Sequence, residues 1–233
     1  MANITLCIIT GSGINLSNIL NKKVSEEPFK EIFPKFQGNI KGHDYKITRG
    51  YIGVISTIIC AGRIHAYEGY DWNDFNTFLE MFKRFGVTNI LSINAVGSID
   101  EKLKVPSYTI VKEIIPTPFV KYPLEKPLTP NWNIKADLPK STYIWVTGPS
   151  YETKSELKLF KQIGGDIIGM SGAPELYWAL QLNYKVAMLS CVTNYCFNSS
   201  PITHDEVIKN AKQATENLLP HLKGIIIKNL NPE

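Results

Sequence analysis

Apolar residues in this chain cluster in short continuous runs, which predict strands buried on both faces of a sheet. Each run ends at glycine, proline or polar residues, as strands usually do. Eight runs of this kind are present, namely Ile4–Thr10, Tyr45–Thr48, Val54–Cys60, Asn89–Asn94, Tyr108–Val111, Tyr143–Val146, Asp166–Gly169 and Lys185–Val192. A sheet built from such strands needs helices on its faces, because both sides of it are apolar.

A second pattern, with apolar residues three and four positions apart, predicts helices between these strands. Phe75, Phe78 and Phe82 share this spacing, and Gly86 provides a suitable helix stop. The predicted helices are Asp71–Phe85, Glu152–Ile163, Ala173–Leu182 and Thr203 to about Lys223. The alternation of strands and helices predicts a single α/β domain over residues 1–233, with a mixed twisted sheet flanked by helices.

The stretch Pro116–Lys140 has neither pattern and contains six prolines. We expect a long loop or lid there, not a linker between domains. The chain has no internal repeat and no low-complexity tract.

Composition narrows the function classes. With 233 residues, of which 44% are hydrophobic and 20% charged, the chain can bury one sizeable core. The net charge of +4 is modest and the lysines are scattered, so we expect no nucleic-acid partner. No apolar run approaches membrane-spanning length and the first residues lead directly into a strand, so we expect neither membrane association nor a targeting segment.

The four cysteines lie mostly within apolar runs and lack the close spacing of metal ligands. This usage favours reduced core thiols and a cytoplasmic location. Cys191 and Cys196 are close enough in sequence that a disulfide between them stays open.

The segment with the most reactive side chains follows the predicted strand Val54–Cys60, where Arg63, His65, Tyr67 and Glu68 lie between two glycines. A cation, an imidazole and a phenol at a strand exit can seat an oxyanion beside a sugar, since open α/β sheets bind ligands at this edge. The alternative is a solvated turn in which Arg63 and Glu68 pair with each other.

Other predicted strands also end in small or polar residues. Gly11–Gly13 offers backbone N–H groups and the Ser12 hydroxyl to an anion, or is an ordinary tight turn. Ser150 is either part of a ligand site or a helix cap, and His204 is a ligand contact or a surface cap residue.

Taken together, these strand ends resemble the trimeric purine nucleoside phosphorylases and their relatives, the methylthioadenosine phosphorylases. The matching segments are Gly11–Gly13, Gly62–Gly69, Asn94–Gly97, Gly148–Thr153, Gly169–Ser171 and Thr193–Asn194. They follow the family's order from Ile4 to the last helix, and the joint presence of the Arg63 and Tyr151-Glu152 motifs is highly specific. The resemblance implies the nucleoside phosphorylase fold and a homotrimer acting in purine salvage.

The resemblance also implies a role for each matching residue. Phosphate would be held by Ser12, Arg63, His65, the Ala95 backbone and Ser171. The ribose would face Tyr67, Met170 and His204. The base would contact Tyr151, Glu152 and Asn194. His43, His65, Glu152 and Asn194 would be the catalytic residues. Glu68 is then better assigned to orienting the cluster. The implied reaction is phosphate-dependent cleavage of purine nucleosides, with inorganic phosphate as co-substrate and neither a metal nor an organic cofactor.

Base preference depends on Asn194, because an amide can donate to O6 of inosine or guanosine. Two differences from the family bear on this interpretation: Tyr195 stands where a lysine is more usual, and the chain is short in the region 116–140. Phe119 and Tyr122 are the nearest candidates for an aromatic residue that covers the ribose of a neighbouring subunit. Methylthioadenosine or adenosine phosphorolysis, hydrolysis behind a reduced lid and non-catalytic nucleoside binding are the alternatives.

Overall fold

The computed structural model describes residues 5–38, 40–117, 122–197 and 203–230. Its strands are β1 Thr5–Thr10, β2 Lys22–Pro28, β3 Lys46–Ile52, β4 Ile55–Ala61, β5 Asn89–Ser98, β6 Ser107–Pro116, β7 Lys140–Trp145, β8 Ile167–Gly169 and β9 Lys185–Tyr195. Its helices are α1 Phe29–Ile32, α2 Trp72–Glu80, α3 Lys154–Gln162, α4 Ala173–Gln181 and α5 His204–Leu230. The predicted mixed α/β class is confirmed.

The strands form one mixed sheet in the order β2-β3-β4-β1-β5-β8-β7-β6-β9, and β5 also pairs with β9. This extra pairing closes β5, β8, β7, β6 and β9 into a ring. Because β1 is parallel to β4 and β5, and β5 is parallel to β9, the carboxyl ends of these four strands meet at one edge. That edge carries most of the motifs singled out in the sequence.

Helices cover the sheet on two sides, each over its own apolar cluster. On one side, α2 and α4 contribute residues such as Phe78 and Leu176 to a cluster rich in aromatic rings. On the other, α5 contributes Leu222 and Ile226, which pack among the apolar residues of β1 and β5. The single-domain organisation of residues 1–233 stays a prediction, and the one sheet that runs through the described ranges is consistent with it.

The predicted strands are all present, and several are longer than predicted at their carboxyl ends. Ile4 lies outside the described residues. Strand β2 was missed because it is polar and mostly exposed, and it lies at the edge of the sheet, where only β3 pairs with it. No apolar pattern is needed at such an edge.

Several helix boundaries differ from the prediction. The helix predicted over Asp71–Phe85 is an α-helix only to Glu80, and Met81–Phe85 follows it as a 3₁₀ helix. The helix predicted to begin at Glu152 begins at Lys154, after the capping residue Thr153, whose hydroxyl accepts from the Glu156 N–H. Helix α5 continues past the predicted end near Lys223 to Leu230, and Pro220 lies inside it as it did in the predicted range. The described part of the predicted long loop, 122–139, contains only an isolated bridge between Leu128 and Ile114.

Within the described ranges no helix is both long and apolar enough to cross a membrane. All four cysteines carry free thiols, so the disulfide left open between Cys191 and Cys196 is not formed.

Candidate active site

The strand ends surround a cleft of about 370 Å³. Its walls include most of the residues singled out in the sequence, namely Ser12, His65, Tyr67, Ala95, Tyr151, Glu152, Met170, Ser171, Asn194 and His204. The other two predicted site residues, His43 and Arg63, lie immediately behind this wall. The structure therefore brings together segments that are up to 192 positions apart in sequence, from Ser12 to His204.

Arg63 is fully buried beneath one end of the cleft. Its Nη2 donates to the backbone carbonyls of Ile9, at 3.1 Å, near the end of β1, and Ile93, at 2.7 Å, in the middle of β5. Its Nη1 lies 3.4 Å from the Ser171 hydroxyl. The alternative of a solvated pair between Arg63 and Glu68 is therefore wrong, because the guanidinium turns inward to the sheet edge.

Glu175 is the carboxylate that does pair with Arg63, and sequence reasoning missed it. Its Oε2 lies 3.4 Å from Arg63 Nη1, and Ser92 donates to the same oxygen at 3.0 Å. Both charged side chains are at most 3% exposed. The one signal in the sequence is a glutamate in the otherwise apolar first turn of α4. A buried carboxylate needs such a partner.

One donor of Arg63 has no partner. Its Nε is buried and makes no hydrogen bond to any described residue. A Cβ placed on Gly11 would lie 3.7 Å from this nitrogen, so Nε faces the Gly11-Ser12 turn that lines the cleft. Buried donors are almost always satisfied, which makes this N–H a site for an acceptor from the cleft.

His65 is held in place by Glu68, in agreement with the orienting role expected for that carboxylate. Glu68 Oε2 accepts from the His65 backbone N–H at 2.7 Å and lies 3.1 Å from His65 Nδ1. The intervening turn Ala66–Glu68 ends at Gly69, whose φ of 85° suits glycine. The contact at Nδ1 leaves Nε2 as the ring nitrogen available to a ligand.

Burial controls the protonation of this pair. It lowers the pKa of His65 to about 3, with the nearby Arg63 charge adding to the effect. Burial also raises the pKa of Glu68 to about 7, against the opposing effect of the His65 N–H. At neutral pH the imidazole is uncharged.

His43 does not line the cleft but contacts the Ser12 hydroxyl that does. Its Nε2 lies 3.0 Å from the Ser12 hydroxyl, while its Nδ1 is buried without a hydrogen-bond partner among the described residues. Burial, together with the neighbouring His65 and Arg63, lowers the pKa of His43 to about 2. A neutral imidazole can therefore accept the Ser12 proton or donate to its oxygen, depending on the tautomer.

Ser171 is fixed by a buried polar network that the sequence did not reveal. Tyr143 donates to the Ser171 carbonyl at 2.7 Å and accepts from the Asn94 side-chain amide at 3.1 Å. Ser190 in turn donates to Asn94 Oδ1 at 2.8 Å. Strands β5, β7 and β9 supply these groups, so the network exists only once the ring of strands has closed.

The middle of the cleft is lined by Tyr67 and Met170, which both pack over Gly148. A Cβ on Gly148 would lie 2.5 Å from Met170 Sδ and 2.9 Å from Tyr67 Cδ1, and the φ of this residue is 78°. Only glycine therefore allows the two side chains to approach the backbone this closely.

The far end of the cleft holds Glu152, Asn194 and Cys196. A bulge in β9 opposite Val96 and Gly97 places Asn194 there, and Gly97 has no room for a Cβ beside Cys196 Sγ. The Thr193 hydroxyl lies 2.9 Å from Asn194 Oδ1, while Asn194 Nδ2 lies 3.9 Å from Cys196 Sγ.

Glu152 departs from one expectation. It was expected at a helix start, where the helix dipole favours the carboxylate. It lies before the capping residue Thr153 instead, and burial raises its pKa. Tyr151 beside it is 51% exposed. Ser150 is not the helix cap, because Thr153 has that role.

The outer rim is formed by His204 and the segment around Lys41. His204 Nε2 lies 3.0 Å from the Lys41 carbonyl, and Lys41 Nζ lies 2.6 Å from Asp205 Oδ1. His204 starts α5 and also lines the cleft, so it is more than a surface cap residue.

Two aromatic residues discussed from the sequence point elsewhere. Tyr195 donates to the Leu103 carbonyl and does not line the cleft. Tyr122 donates to the Tyr70 carbonyl at 2.7 Å and packs on Trp72, so it belongs to the core of its own chain and is not a free lid residue. Phe119 lies outside the described residues.

Among the described residues no group of three or more His, Cys, Asp or Glu side chains is arranged to hold a metal ion.

Comparisons with known proteins agree with this architecture. A family model for the Phosphorylase superfamily matches residues 5–227. The purine nucleoside phosphorylase 1 of Geobacillus stearothermophilus is 26% identical over 247 residues, covering 94% of this chain and 89% of that protein. The purine nucleoside phosphorylase of Bos taurus is 25% identical, covering 91% of this chain and 85% of its own length.

Solved structures show the same fold. The Schistosoma mansoni purine nucleoside phosphorylase in complex with inosine superimposes with a TM-score of 0.83 at 23% identity, covering 100% of this chain and 92% of that one. The family predicted from the strand-end motifs is thus confirmed: the chain belongs to the phosphorylase superfamily.

Proposed function

We propose that this protein is a purine nucleoside phosphorylase that cleaves 6-oxopurine nucleosides such as inosine, guanosine and their deoxy forms. The products would be the free base and ribose 1-phosphate or deoxyribose 1-phosphate. Inorganic phosphate is the co-substrate in this proposal, and no further cofactor takes part. The observation that carries it is the buried, unpartnered Nε–H of Arg63 beneath the Gly11-Ser12 turn.

Phosphate suits this end of the cleft for three reasons. Arg63 supplies a buried positive charge that cannot be lost by deprotonation. The hydroxyls of Ser12 and Ser171 and the backbone at Ala95 offer polar groups around the same point. His65, neutral with Nδ1 held by Glu68, presents Nε2 to a phosphate O–H.

The reaction needs charge stabilisation at both ends of the nucleoside. A phosphate oxygen forms a bond to C1′ as the bond from C1′ to N9 breaks, and the departing purine takes up a proton at N7. Positive charge develops on the ribose between Tyr67, Met170 and the bound phosphate, with His204 near its 5′-hydroxyl. Preorganised groups at both ends lower the barrier because they need no rearrangement during the step.

Base preference in this proposal comes from Asn194 and Glu152. When the Thr193 hydroxyl donates to Asn194 Oδ1, the amide is oriented so that Nδ2 donates to O6, and Oδ1 accepts from N7–H with its second lone pair. Glu152 accepts from N1–H and from the 2-amino group of guanine, and Tyr151 packs on the base. A 6-amino group would meet the Asn194 donor unfavourably.

The decisive experiment incubates the protein with inosine, guanosine, adenosine or methylthioadenosine, each with and without phosphate. Base release from inosine that strictly requires phosphate supports the proposal. Cleavage limited to the adenine nucleosides would overturn the base preference, and equal cleavage without phosphate would show a hydrolase. Inosine binding without base release at any phosphate concentration would show a non-catalytic binding protein.

The resemblance also supports a homotrimer, and the free, mostly buried cysteines support a cytoplasmic location; we include both in the proposal. Light scattering on the purified chain tests the assembly directly, because a trimer has three times the mass of the 26.2 kDa chain.

A further inference from the structure

We propose that Glu175 is a positioning residue that sets the phosphate affinity of the cleft through Arg63. This inference deepens the function proposed above and rests on it. Glu175 does not line the cleft, and its carboxylate contacts Arg63 at Nη1, whereas the Gly11-Ser12 turn lies beside Nε.

The Glu175 carboxylate is held in place by contacts other than the one with Arg63. Ser92 on β5 donates to Oε2 at 3.0 Å, and the residue lies in the first turn of α4, where the helix dipole stabilises a negative charge. Gly172 and Pro174 start that helix, so the position of Glu175 relative to the sheet is fixed by the fold before any ligand binds.

Glu175 decides which donor of Arg63 remains free. Nη2 is used by the carbonyls of Ile9 and Ile93, and Nη1 is drawn towards Glu175 and Ser171. The guanidinium is planar and its donors have a fixed fork geometry, so these contacts fix the direction of the Nε–H as well. The Nε atom itself lies beside Gly11.

Glu175 also offsets the charge that attracts phosphate. Arg63 is fully buried and the Glu175 side chain is 3% exposed, so solvent screens their fields poorly. A phosphate bound at Arg63 Nε is attracted by the guanidinium and repelled by the Glu175 carboxylate. The resulting affinity is lower than Arg63 alone would give, which favours release of the phosphorylated sugar after each turnover.

The variant E175Q separates charge from shape, because glutamine can still accept from Ser92 and from Arg63. We expect the dissociation constant for phosphate, measured by calorimetry without nucleoside, to fall by about fivefold or more. The KM for inosine should stay within about twofold, since Glu175 is remote from the base end of the cleft. A purely structural residue would instead weaken phosphate binding or lower all kinetic constants together.

Two further variants serve as controls. S92A removes a hydrogen bond to Glu175 but keeps its charge, so phosphate binding should not tighten. E175D keeps the charge but withdraws it from Arg63, so phosphate binding should tighten by about twofold, less than in E175Q, and this variant decides the matter if E175Q does not fold.

An unchanged or weaker phosphate affinity in folded E175Q would overturn the inference, as would unchanged or weaker affinity in folded E175D. Absence of phosphate binding to the wild-type protein would overturn it too. If the wild-type protein binds phosphate but releases no base, the proposed function is wrong, while the calorimetric comparison of E175Q with wild type still tests the role of Glu175.

Discussion

The two ends of the cleft differ in how firmly their polar groups are held. At the end proposed to bind phosphate, here called the phosphate end, Arg63 and Ser171 are buried and bound to backbone carbonyls, a tyrosine hydroxyl and a carboxylate. At the end proposed to bind the base, here called the base end, Glu152 is half-buried, Tyr151 is about half exposed, and Asn194 contacts the neighbouring Thr193 and a more distant thiol. The groups at the first end are bonded to the strands of the sheet, whereas those at the second end lie at the end of β9 and in the loop before α3.

This difference indicates a division of tasks. A site that is fixed before binding spends little free energy on reorganisation, which suits an anion that is the same in every turnover. A more exposed end can change its side chains without disturbing the sheet. Variants at the phosphate end should therefore affect rate and folding together, whereas variants at the base end should alter selectivity with less effect on folding.

The largest effect is expected from R63M. Methionine fills part of the volume but donates no hydrogen bond and carries no charge, so kcat/KM for phosphate should fall by about two to three orders of magnitude. Initial rates of phosphorolysis measure this loss, and circular dichroism checks the fold. R63K keeps the charge without the fork of donors and should lie between wild type and R63M. A loss smaller than tenfold in R63M would show that the phosphate lies elsewhere.

At the base end, N194D should reduce kcat/KM for inosine by about two orders of magnitude and shift the preference towards 6-aminopurines, because a carboxylate accepts where an amide donates. The ratio of kcat/KM for inosine and adenosine is the measurement. N210A is the matched control, since Asn210 Nδ2 donates to the Thr193 carbonyl at 2.7 Å without lining the cleft. Unchanged selectivity in N194D would remove Asn194 from the base site.

A smaller effect concerns stability in acid. Burial lowers the pKa of His43 to about 2, whereas the unfolded chain binds that proton near pH 6.5. Stability from the neutral imidazole is therefore complete above about pH 6.5 and is lost as the pH falls towards 2. Urea unfolding at pH 7 and pH 5 should show a decrease in the free energy of unfolding that is about 2 kcal/mol smaller in H43Q than in wild type. Equal decreases in the two proteins would contradict this assignment.

The smallest effect is expected from Y195F. The Tyr195 hydroxyl donates to the Leu103 carbonyl and lies outside the cleft, so its loss should cost about 1 kcal/mol of stability. Inosine turnover should stay within about twofold of wild type in a steady-state assay. A strong decrease in turnover with unchanged stability would place Tyr195 at the base end after all.

The sequence predicted the fold well where burial dictates the pattern. Continuous apolar runs marked the inner strands, because both faces of those strands are covered. Strand β2 was not predicted because it lies at an exposed edge of the sheet and has no alternation of apolar residues. Its charged residues are Lys22, Lys23, Glu26 and Glu27. The end of α5 was predicted near Lys223, whereas burial of Ile226 and Leu230 against the rest of the fold stabilises further turns up to Leu230.

The candidate site was predictable as far as it consists of strand-end motifs. Each of these strand ends alone could be an ordinary turn, but their joint occurrence in one order pointed to a single site, and most of them line one cleft. Glu175 and Tyr143 were not predictable, because each sits in an apolar stretch and gains its partners only through the fold. Tyr143 and its partner Asn94 are 49 positions apart, on strands that are not adjacent in the sheet order.

The close packing of Tyr67 and Met170 over Gly148 has a practical consequence for engineering. Any side chain at position 148 would strain the backbone and displace both neighbours, so it would disable the middle of the cleft without removing a polar group. A mutant library aimed at a new sugar preference should therefore keep glycine at position 148 and randomise positions 67 and 170 together. The two side chains pack against the same stretch of backbone, so a change in one alters the space for the other.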